Sequence, residues 1–244
     1  QIQQLLDLES ITALEKMFMC GNYGDPAAGK HTLTIYRWFR QMNPKIVLGM
    51  NSNGAIGNTT WWQDLACTLN QPRDYVVFSI DGLRDTNHLY RVGVMWDHLI
   101  DNVQAFIRGG GIAHWDMLVY QHNQHQIEQC RQLAKDLGFR WFRTKITRRP
   151  LVGNLKTPDT VHTCVNGPIQ CHALKERSIY INAKGQMYPC CWLGNQIWPL
   201  HDSFDAIQKS WIGNDPNPIC QKTCSSSPQG TNFSKQWQQE IQLC

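Results

Sequence analysis

The chain has 244 residues, of which 42% are hydrophobic, and its 23 basic and 19 acidic side chains leave a formal net charge of +4. This length is enough to bury one large core, alone or beside a small second domain. No segment approaches the roughly 18 consecutive apolar residues of a membrane helix, and so mild a charge gives no reason to expect a nucleic-acid partner.

From residue 5 to residue 145 the sequence alternates amphipathic helices with short apolar strands. We predict helices over 5–17, 29–42, 60–69, 93–108 (broken by glycines 109–111) and 124–137, and strands over 17–20, 45–50, 75–80, 114–120 and 140–145. Gly138 is expected to cap the last helix. This alternation is typical of a parallel sheet with helical crossovers, either an open sheet or a partial barrel.

The alternation ends near residue 150, where a linker rich in Pro and Gly begins. Beyond it we predict a hairpin from strands 178–182 and 186–188, a short helix over 202–211, and a second helix over 233–242. We therefore divide the chain into a larger domain over 1–150 and a smaller one over 151–244.

Polar turns follow four of the five predicted strands. They occupy residues 21–26, 51–54, 79–82 and 122–123. In parallel sheets the ligand lies at the carboxyl ends of the strands, so four such turns predict a cofactor pocket there. For His122 and Asn123, helix capping or exposure to solvent is the favoured alternative.

The chain contains ten cysteines, which would suit a secreted, disulfide-bonded domain. Seven of them lie from Cys164 onwards, however, and the α/β pattern before them needs no covalent cross-links. No signal-peptide pattern is present. We therefore expect reduced thiols and a cytoplasmic protein.

The densest group of cysteines runs from Cys171 through the adjacent pair at 190–191 to Cys220 and Cys224. Thiolates gathered in this way hold soft metals, and both zinc and iron–sulfur clusters use four of them. The residues alone leave the choice between these metals open.

Taken in order, these motifs make the chain resemble radical SAM enzymes that carry a C-terminal SPASM or twitch-type extension. Residues 24–26 (Gly-Asp-Pro) resemble the Gly-Glu-Pro turn of that family, with Asp in place of Glu. Residues 51–54 are similar to its Thr-Asn-Gly strand end, and residues 79–82 to its Ser-(Leu/Ile)-Asp-Gly strand end. The spacing Cys-x13-Gly-x4-Cys over 171–190 falls within the signature of the extension.

The resemblance implies a fold and a set of cofactor-binding residues. The fold is α/β: a partial (β/α)6 TIM-like barrel without its first strand, followed by a small cysteine-rich α+β extension. The turn holds the amino group of S-adenosylmethionine, while Ser79 and Arg91 bind its carboxylate and ribose, because a guanidinium grips a carboxylate through two hydrogen bonds. The implied binding residues are Asn22, Tyr23, Gly24, Asp25, Asn51, Asn53, Ser79, Asp81 and Arg91.

The resemblance also implies iron–sulfur clusters. An auxiliary 4Fe–4S cluster is expected on Cys171, Cys190, Cys220 and Cys224, with Cys191 as an alternative ligand. The Cys-x3-Cys-x2-Cys loop that carries the radical 4Fe–4S cluster of the family is absent from the 244 residues. Because the sequence begins with Gln1 and not Met, we expect that loop upstream; natural loss of the loop is the alternative.

The chemistry implied by the family is reductive cleavage of S-adenosylmethionine to a 5′-deoxyadenosyl radical, which abstracts hydrogen from a substrate. A peptide or protein substrate is expected, and an electron donor such as a flavodoxin or ferredoxin. The second hypothesis is a non-catalytic protein that binds S-adenosylmethionine or an iron–sulfur cluster. The third is a zinc-stabilised structural protein.

Overall fold

A computed structural model of the chain describes residues 6–22, 24–146, 151, 153–159, 168–194, 209, 213, 215–225 and 241–242. The chain divides into two compact units. The larger comprises 6–161 with 240–244, and the smaller comprises 1–5 with 162–239. No helix among the described residues is both long enough and apolar enough to cross a membrane.

Helices and strands alternate through the larger unit, as the sequence predicts. The helices are α1 (Leu8–Ala13), α2 (Thr32–Met42), α3 (Thr59–Thr68), α4 (Asn87–Tyr90), α5 (Trp96–Arg108) and α6 (Ile127–Leu137). The strands are β1 (Lys16–Met19), β2 (Val47–Ser52), β3 (Tyr75–Ser79), β4 (Ala113–Val119) and β5 (Trp141–Ile146). The first helix is shorter than its apolar spacing predicts, and α4 was not predicted.

Local sequence explains where several helices start and stop. The side chain of Asn58 accepts a hydrogen bond from the Trp61 N–H at 2.9 Å and so caps the start of α3. Gly138 ends α6 in the left-handed conformation, at a φ of 86°, which confirms the predicted cap.

The smaller unit is built from short elements. They are α7 (His172–Lys175), β6 (Tyr180–Ile181), β7 (Met187–Tyr188) and α8 (Pro218–Cys224). Strands β6 and β7 pair antiparallel, which confirms the predicted hairpin in a shorter form. Of the helix predicted over 202–211, only Lys209 is described, and it is helical.

The chain end differs from the prediction. Residues 241–242 form β8, an extended strand that pairs antiparallel with the start of β5, so the predicted helix over 233–242 is wrong for these two residues. Residues 233–240 lie outside the described part of the chain. Pairing with a neighbouring strand decides the backbone conformation here, and a single-sequence pattern does not contain that information.

The sheet of the larger unit has the order β1-β2-β3-β4-β5-β8, and its first five strands are parallel. Side chains alternate between its two faces. One face is apolar and packs on the helices: Phe78 of β3 meets Trp62 of α3 and Phe106 of α5 at ring-centroid distances of 5.1 and 5.8 Å. These three rings are completely buried and form the centre of the core.

The opposite face of the sheet is polar. Ser79, Asp116 and Arg143 lie side by side on β3, β4 and β5, and Asn51 belongs to the neighbouring row with Val77 and His114. Because the strands are parallel, their carboxyl ends bring all four predicted polar turns to one edge of the sheet.

Candidate functional site

The turn after β1 is shaped by two glycines. Gly21 and Gly24 have φ angles of 63° and 148°, in the range that favours glycine. A β-carbon on Gly21 would lie 2.9 Å from the carbonyl oxygen of Gly24 and 3.4 Å from that of Asn51, so the turn closes tightly against the end of β2. Asn22 lies within this turn and is half-buried, whereas Tyr23 is outside the described residues.

Asp25 ties this turn to the second strand end. One carboxylate oxygen, Oδ1, accepts hydrogen bonds from the Ala27 N–H at 2.9 Å and from the Ser52 hydroxyl at 2.8 Å. The other, Oδ2, accepts from the Asn53 N–H at 2.7 Å and also lies 2.9 Å from the Ser52 oxygen. The first two polar turns are therefore held together by one carboxylate.

The two predicted asparagines of the second turn differ in their surroundings. The side-chain oxygen of Asn53 accepts a hydrogen bond from the Ala55 N–H at 2.9 Å, which shapes the turn. The side-chain oxygen of Asn51 is buried and has no hydrogen-bond partner among the described residues. Asn51 Oδ1 is therefore an acceptor at the candidate site that no described residue satisfies.

The third turn orients an arginine. The Asp81 carboxylate is completely buried; it accepts from Arg91 Nε at 2.5 Å and from the Leu118 N–H at 2.5 Å. Burial raises the pKa of the Asp81 carboxyl, and Arg91 and the Leu118 N–H counter that shift in part. Arg91 also lies over the Tyr90 ring, 5.0 Å from its centroid. The buried Asp81 carboxylate therefore holds the Arg91 side chain in place.

Asp81 holds only one edge of the Arg91 guanidinium. Arg91 Nε is bonded to Asp81, while no hydrogen bond from its two terminal nitrogens is recorded within the described residues, and the side chain is 23% exposed. Ser79, which ends β3, is half-buried and makes no side-chain hydrogen bond to the described residues. Both side chains can therefore donate to a ligand that carries a carboxylate.

The fourth turn is fastened to the third by Asn123. Its side-chain nitrogen donates to the carbonyl oxygens of Asp81 and Leu118 at 2.8 and 2.9 Å, and its oxygen accepts from the Tyr120 N–H at 2.7 Å. Asn123 thus neither caps a helix with its side chain nor faces solvent, contrary to the favoured alternative.

His122 has a different position in the same turn. Its ring stacks on Tyr120 with centroids 5.5 Å apart, and its Nε2 is buried without a partner among the described residues. Burial lowers the pKa of His122, and the neighbouring His125 acts in the same direction. It lies at the same sheet edge as the other turns.

The four predicted ligand cysteines come together in the smaller unit. Cys220 and Cys224, four residues apart on α8, share one helix face, and the Gln170 N–H beside Cys171 donates to the Cys224 carbonyl at 2.9 Å. All four thiols line one cavity with apolar neighbours. Its lining residues are Ile169, Cys171, Ala173, Leu174, Pro189, Cys190, Trp192, Leu193, Ile219, Cys220, Thr223 and Cys224.

The electrostatics of this cavity favour neutral thiols when no metal is bound. Burial, together with the neighbouring thiols, raises the pKa of Cys190 to about 11 and that of Cys220 to about 12. The Leu174 N–H donates to the Cys171 sulfur at 3.4 Å, the kind of contact that stabilises a ligating thiolate. A cationic metal or cluster would supply the charge that four thiolates require.

Four cysteines equal the number of sulfur donors that a structural zinc ion or a 4Fe–4S cluster uses. Within the described ranges, no three His, Cys, Asp or Glu side chains converge closely enough to hold a single metal ion. The eight cysteines of those ranges form no disulfide with one another. Cys191 does not line the cavity, and Cys164 and Cys244 lie outside the described residues.

Sequence reasoning missed a charged cluster on the polar face of the sheet. Arg143 donates to both oxygens of Asp116 at 2.6 Å, and Lys145 pairs with the same carboxylate. His114 lies two residues before Asp116, and burial lowers its pKa to about 4. The signal was present in the alternation of His114 with Asp116 on β4 and of Arg143 with Lys145 on β5, which places all four on one face.

Comparison with known proteins finds likeness in structure. No protein-family model and no curated protein sequence matches the chain. Streptococcus suis SuiB bound to S-adenosylmethionine superposes with a TM-score of 0.55 at 12% identity, over 84% of this chain and 55% of SuiB. Another SuiB structure gives 0.53 at 13% identity, over 84% of this chain and 56% of that one.

A second protein, polyhistidine-tagged anSMEcpe with bound AdoMet, superposes with a TM-score of 0.50 at 11% identity, over 88% of this chain and 50% of anSMEcpe. The chain thus spans about half the length of these neighbours. At such low identity the likeness concerns the backbone arrangement. The chain therefore has a mixed α/β fold with five parallel strands, similar in its backbone arrangement to SuiB and anSMEcpe.

Proposed function

We propose that the larger unit binds S-adenosylmethionine at the carboxyl edge of its parallel sheet and belongs to a radical SAM enzyme. The observation that carries the proposal is the joining of the polar turns at that edge: Asp25 binds the second turn, and Asp81 accepts from Arg91 while Asn123 fastens the third turn to the fourth. Both SuiB and anSMEcpe, which share the fold, were solved with this ligand.

The side chains at this edge match the amino-acid part of the ligand. The terminal nitrogens of Arg91 would donate to the ligand carboxylate, with Ser79 as a second donor. The turn at 21–26 supplies carbonyl oxygens for the ligand ammonium. In the proposed enzyme, the Cys-x3-Cys-x2-Cys loop that the resemblance implies would carry the radical cluster.

The cysteine-lined cavity would hold an auxiliary 4Fe–4S cluster through Cys171, Cys190, Cys220 and Cys224. Such a cluster supplies one-electron chemistry, and together with the radical cluster of the missing loop it would support cleavage of S-adenosylmethionine and hydrogen abstraction. The protein residues contribute orientation of the ligand and exclusion of water. The resemblance favours a peptide or protein substrate, a flavodoxin- or ferredoxin-type electron donor, and a cytoplasmic location.

The binding step can be tested on this chain by titration calorimetry with S-adenosylmethionine. Arg91→Lys should weaken binding about tenfold or more, because lysine loses both the Asp81 contact and the paired donors. The matched control is Arg84→Lys: Arg84 also pairs with an aspartate, Asp97, but both side chains are exposed. Equal affinities of Arg91→Lys and the native chain would contradict the proposed site.

The catalytic step needs a protein that includes the Cys-x3-Cys-x2-Cys loop. Anaerobically reconstituted with iron and sulfide and reduced with dithionite, that protein should release 5′-deoxyadenosine from S-adenosylmethionine. A protein with its radical cluster loaded that releases none would refute the enzymatic function.

The second candidate is a protein that binds S-adenosylmethionine and a cluster without catalysis. It requires no Cys-x3-Cys-x2-Cys loop, a spacing that the 244 residues do not contain. It predicts the same binding as the first candidate and no product. A zinc-stabilised protein, the third candidate, would contain zinc and no iron after anaerobic purification.

A further inference from the structure

The carboxylate of Asp25 is almost fully used by the protein itself. An ionised carboxylate has about four acceptor positions, and three donors fill about three of them here: the Ala27 N–H, the Asn53 N–H and the single hydroxyl hydrogen of Ser52, whose oxygen lies within 2.9 Å of both carboxylate oxygens. The Ser52 oxygen in turn accepts from the Gly54 N–H at 3.0 Å. About one acceptor position of Asp25 is left for a donor from a ligand, and the other three hold the two turns together.

Asn51 presents the opposite situation. Its Oδ1 is buried and unpartnered among the described residues, although a buried acceptor without a hydrogen bond destabilises a protein. Such atoms are rare in native structures and need an explanation. The side chain belongs to the polar face of the sheet, in the row next to Ser79, and so lies on the side opposite the helices.

Two backbone acceptors belong to the same two turns. The carbonyl oxygens of Gly24 and Asn51 both lie within 3.4 Å of the point where Gly21 would carry a β-carbon. An ammonium group has three N–H donors and no acceptor, so a cluster of uncharged oxygens is suited to receive it.

Building on the proposed binding of S-adenosylmethionine, we propose that Asn51 Oδ1 accepts a hydrogen bond from the ligand ammonium, and that Asp25 is a positioning residue. Asp25 acts by holding the first two polar turns together. Recognition of the ammonium is thereby assigned to a neutral amide and not to the carboxylate of the Gly-Asp-Pro turn.

Titration calorimetry with two ligands separates these roles. The probes are S-adenosylhomocysteine, which carries the ammonium, and its desamino analogue, which keeps the carboxylate and the nucleoside. Asn51→Ala should lower the affinity for S-adenosylhomocysteine about tenfold or more and change the affinity for the desamino analogue by less than about twofold. Asn51→Asp, which keeps the acceptor and adds charge, should tighten S-adenosylhomocysteine selectively.

Asp25→Asn and Ser52→Ala provide the contrast. Either substitution should lower the affinities for both ligands by the same factor. Both substitutions loosen the two turns, and neither removes a contact to the ammonium. If Asp25→Asn instead changes the ratio of the two affinities as much as Asn51→Ala does, the carboxylate is the acceptor and the assignment is overturned. The assignment is also overturned if Asn51→Ala loses affinity equally for both ligands. Failure of the native chain to bind either ligand overturns the proposed function along with it.

Discussion

Arg91 donates from Nε to Asp81 at 2.5 Å, and Asp81 is completely buried beneath it. Both residues were expected at the ligand, but the structure divides their roles. Asp81 is in contact with the protein only, with one oxygen on Arg91 and the other on the Leu118 N–H. This pair connects the third strand end to β4 and leaves the outer edge of the guanidinium available.

Substituting Asp81 by Asn tests this division. The amide keeps the shape but has only one acceptor oxygen, so either Arg91 Nε or the Leu118 N–H loses its partner, which costs about 1–3 kcal/mol. The Asp81→Asn protein should therefore unfold at a clearly lower denaturant concentration and bind S-adenosylmethionine more weakly. Urea unfolding followed by circular dichroism measures the first effect and calorimetry the second.

The control for that experiment is Asp97→Asn, which removes the acid of an exposed pair with Arg84. Exposed pairs contribute little to stability because water and salt screen them. The unfolding midpoint and the affinity should both stay unchanged. If Asp97→Asn loses as much stability as Asp81→Asn, the burial of Asp81 is not what makes its substitution destabilising.

His114 makes the stability of the larger unit depend on pH. Its ring lies against Tyr75, with centroids 4.7 Å apart, and burial lowers its pKa from 6.5 to about 4. Between these values the unfolded chain binds the proton and the folded one does not, so stability falls as the pH drops from 6.5 towards 4. Between pH 6.5 and pH 4, His114 alone lowers the free energy of unfolding by about 3 kcal/mol.

His114→Gln should flatten the pH dependence of the unfolding free energy over that window. The variant to compare is His125→Gln, which removes an exposed histidine from the same unit. Unfolding in urea at several pH values between 4 and 7 gives the slopes. An unchanged slope in His114→Gln would place the proton uptake elsewhere.

The sequence was sufficient to predict the alternation of helices and strands and the edge of the sheet where the polar turns meet. Short apolar segments followed by Gly, Asn and Asp have few other interpretations in a parallel sheet, and the five parallel strands lie within a few residues of their predicted positions. The four cysteines that the sequence groups together line a single cavity.

The sequence could not show which polar side chains bond to one another. Asp25 and Asp81 were both expected at the ligand, and only the positions of the Asn53 N–H and Arg91 reveal that each carboxylate is used within the protein. Likewise, the pairing of Asp116 with Arg143 depends on strand register across 27 residues. Contacts between strands follow from the fold and have no local pattern.

The cysteine cavity predicts which thiols hold metal. After anaerobic reconstitution, the native chain should bind about four irons, and Cys190→Ser and Cys220→Ser should lose most of this iron because both thiols line the cavity. Cys191→Ser should retain it, since Cys191 does not line the cavity although it adjoins Cys190. Iron and sulfide analysis of the purified proteins decides the matter. Full iron in Cys220→Ser would rule out that ligand.

Gly21 tests how closely the first two turns must approach. Alanine there meets two difficulties: a left-handed φ of 63°, and a β-carbon 2.9 Å from the Gly24 oxygen. Gly93→Ala is the matched control, because Gly93 has a φ of 82° with no atom within 4 Å of the added carbon. The control should lose only about 1 kcal/mol of stability, and its affinity for S-adenosylmethionine should not change.

Gly21→Ala should be destabilised more than the control and should also lose affinity, because the carbonyls of Gly24 and Asn51 must move apart to accept the β-carbon. The decisive measurement is the ratio of the affinities of Gly21→Ala for S-adenosylhomocysteine and for its desamino analogue. If those carbonyls surround the ammonium, the loss falls mainly on the ligand that carries it. An equal loss for both ligands would mean that the turn supports the nucleoside or the carboxylate instead.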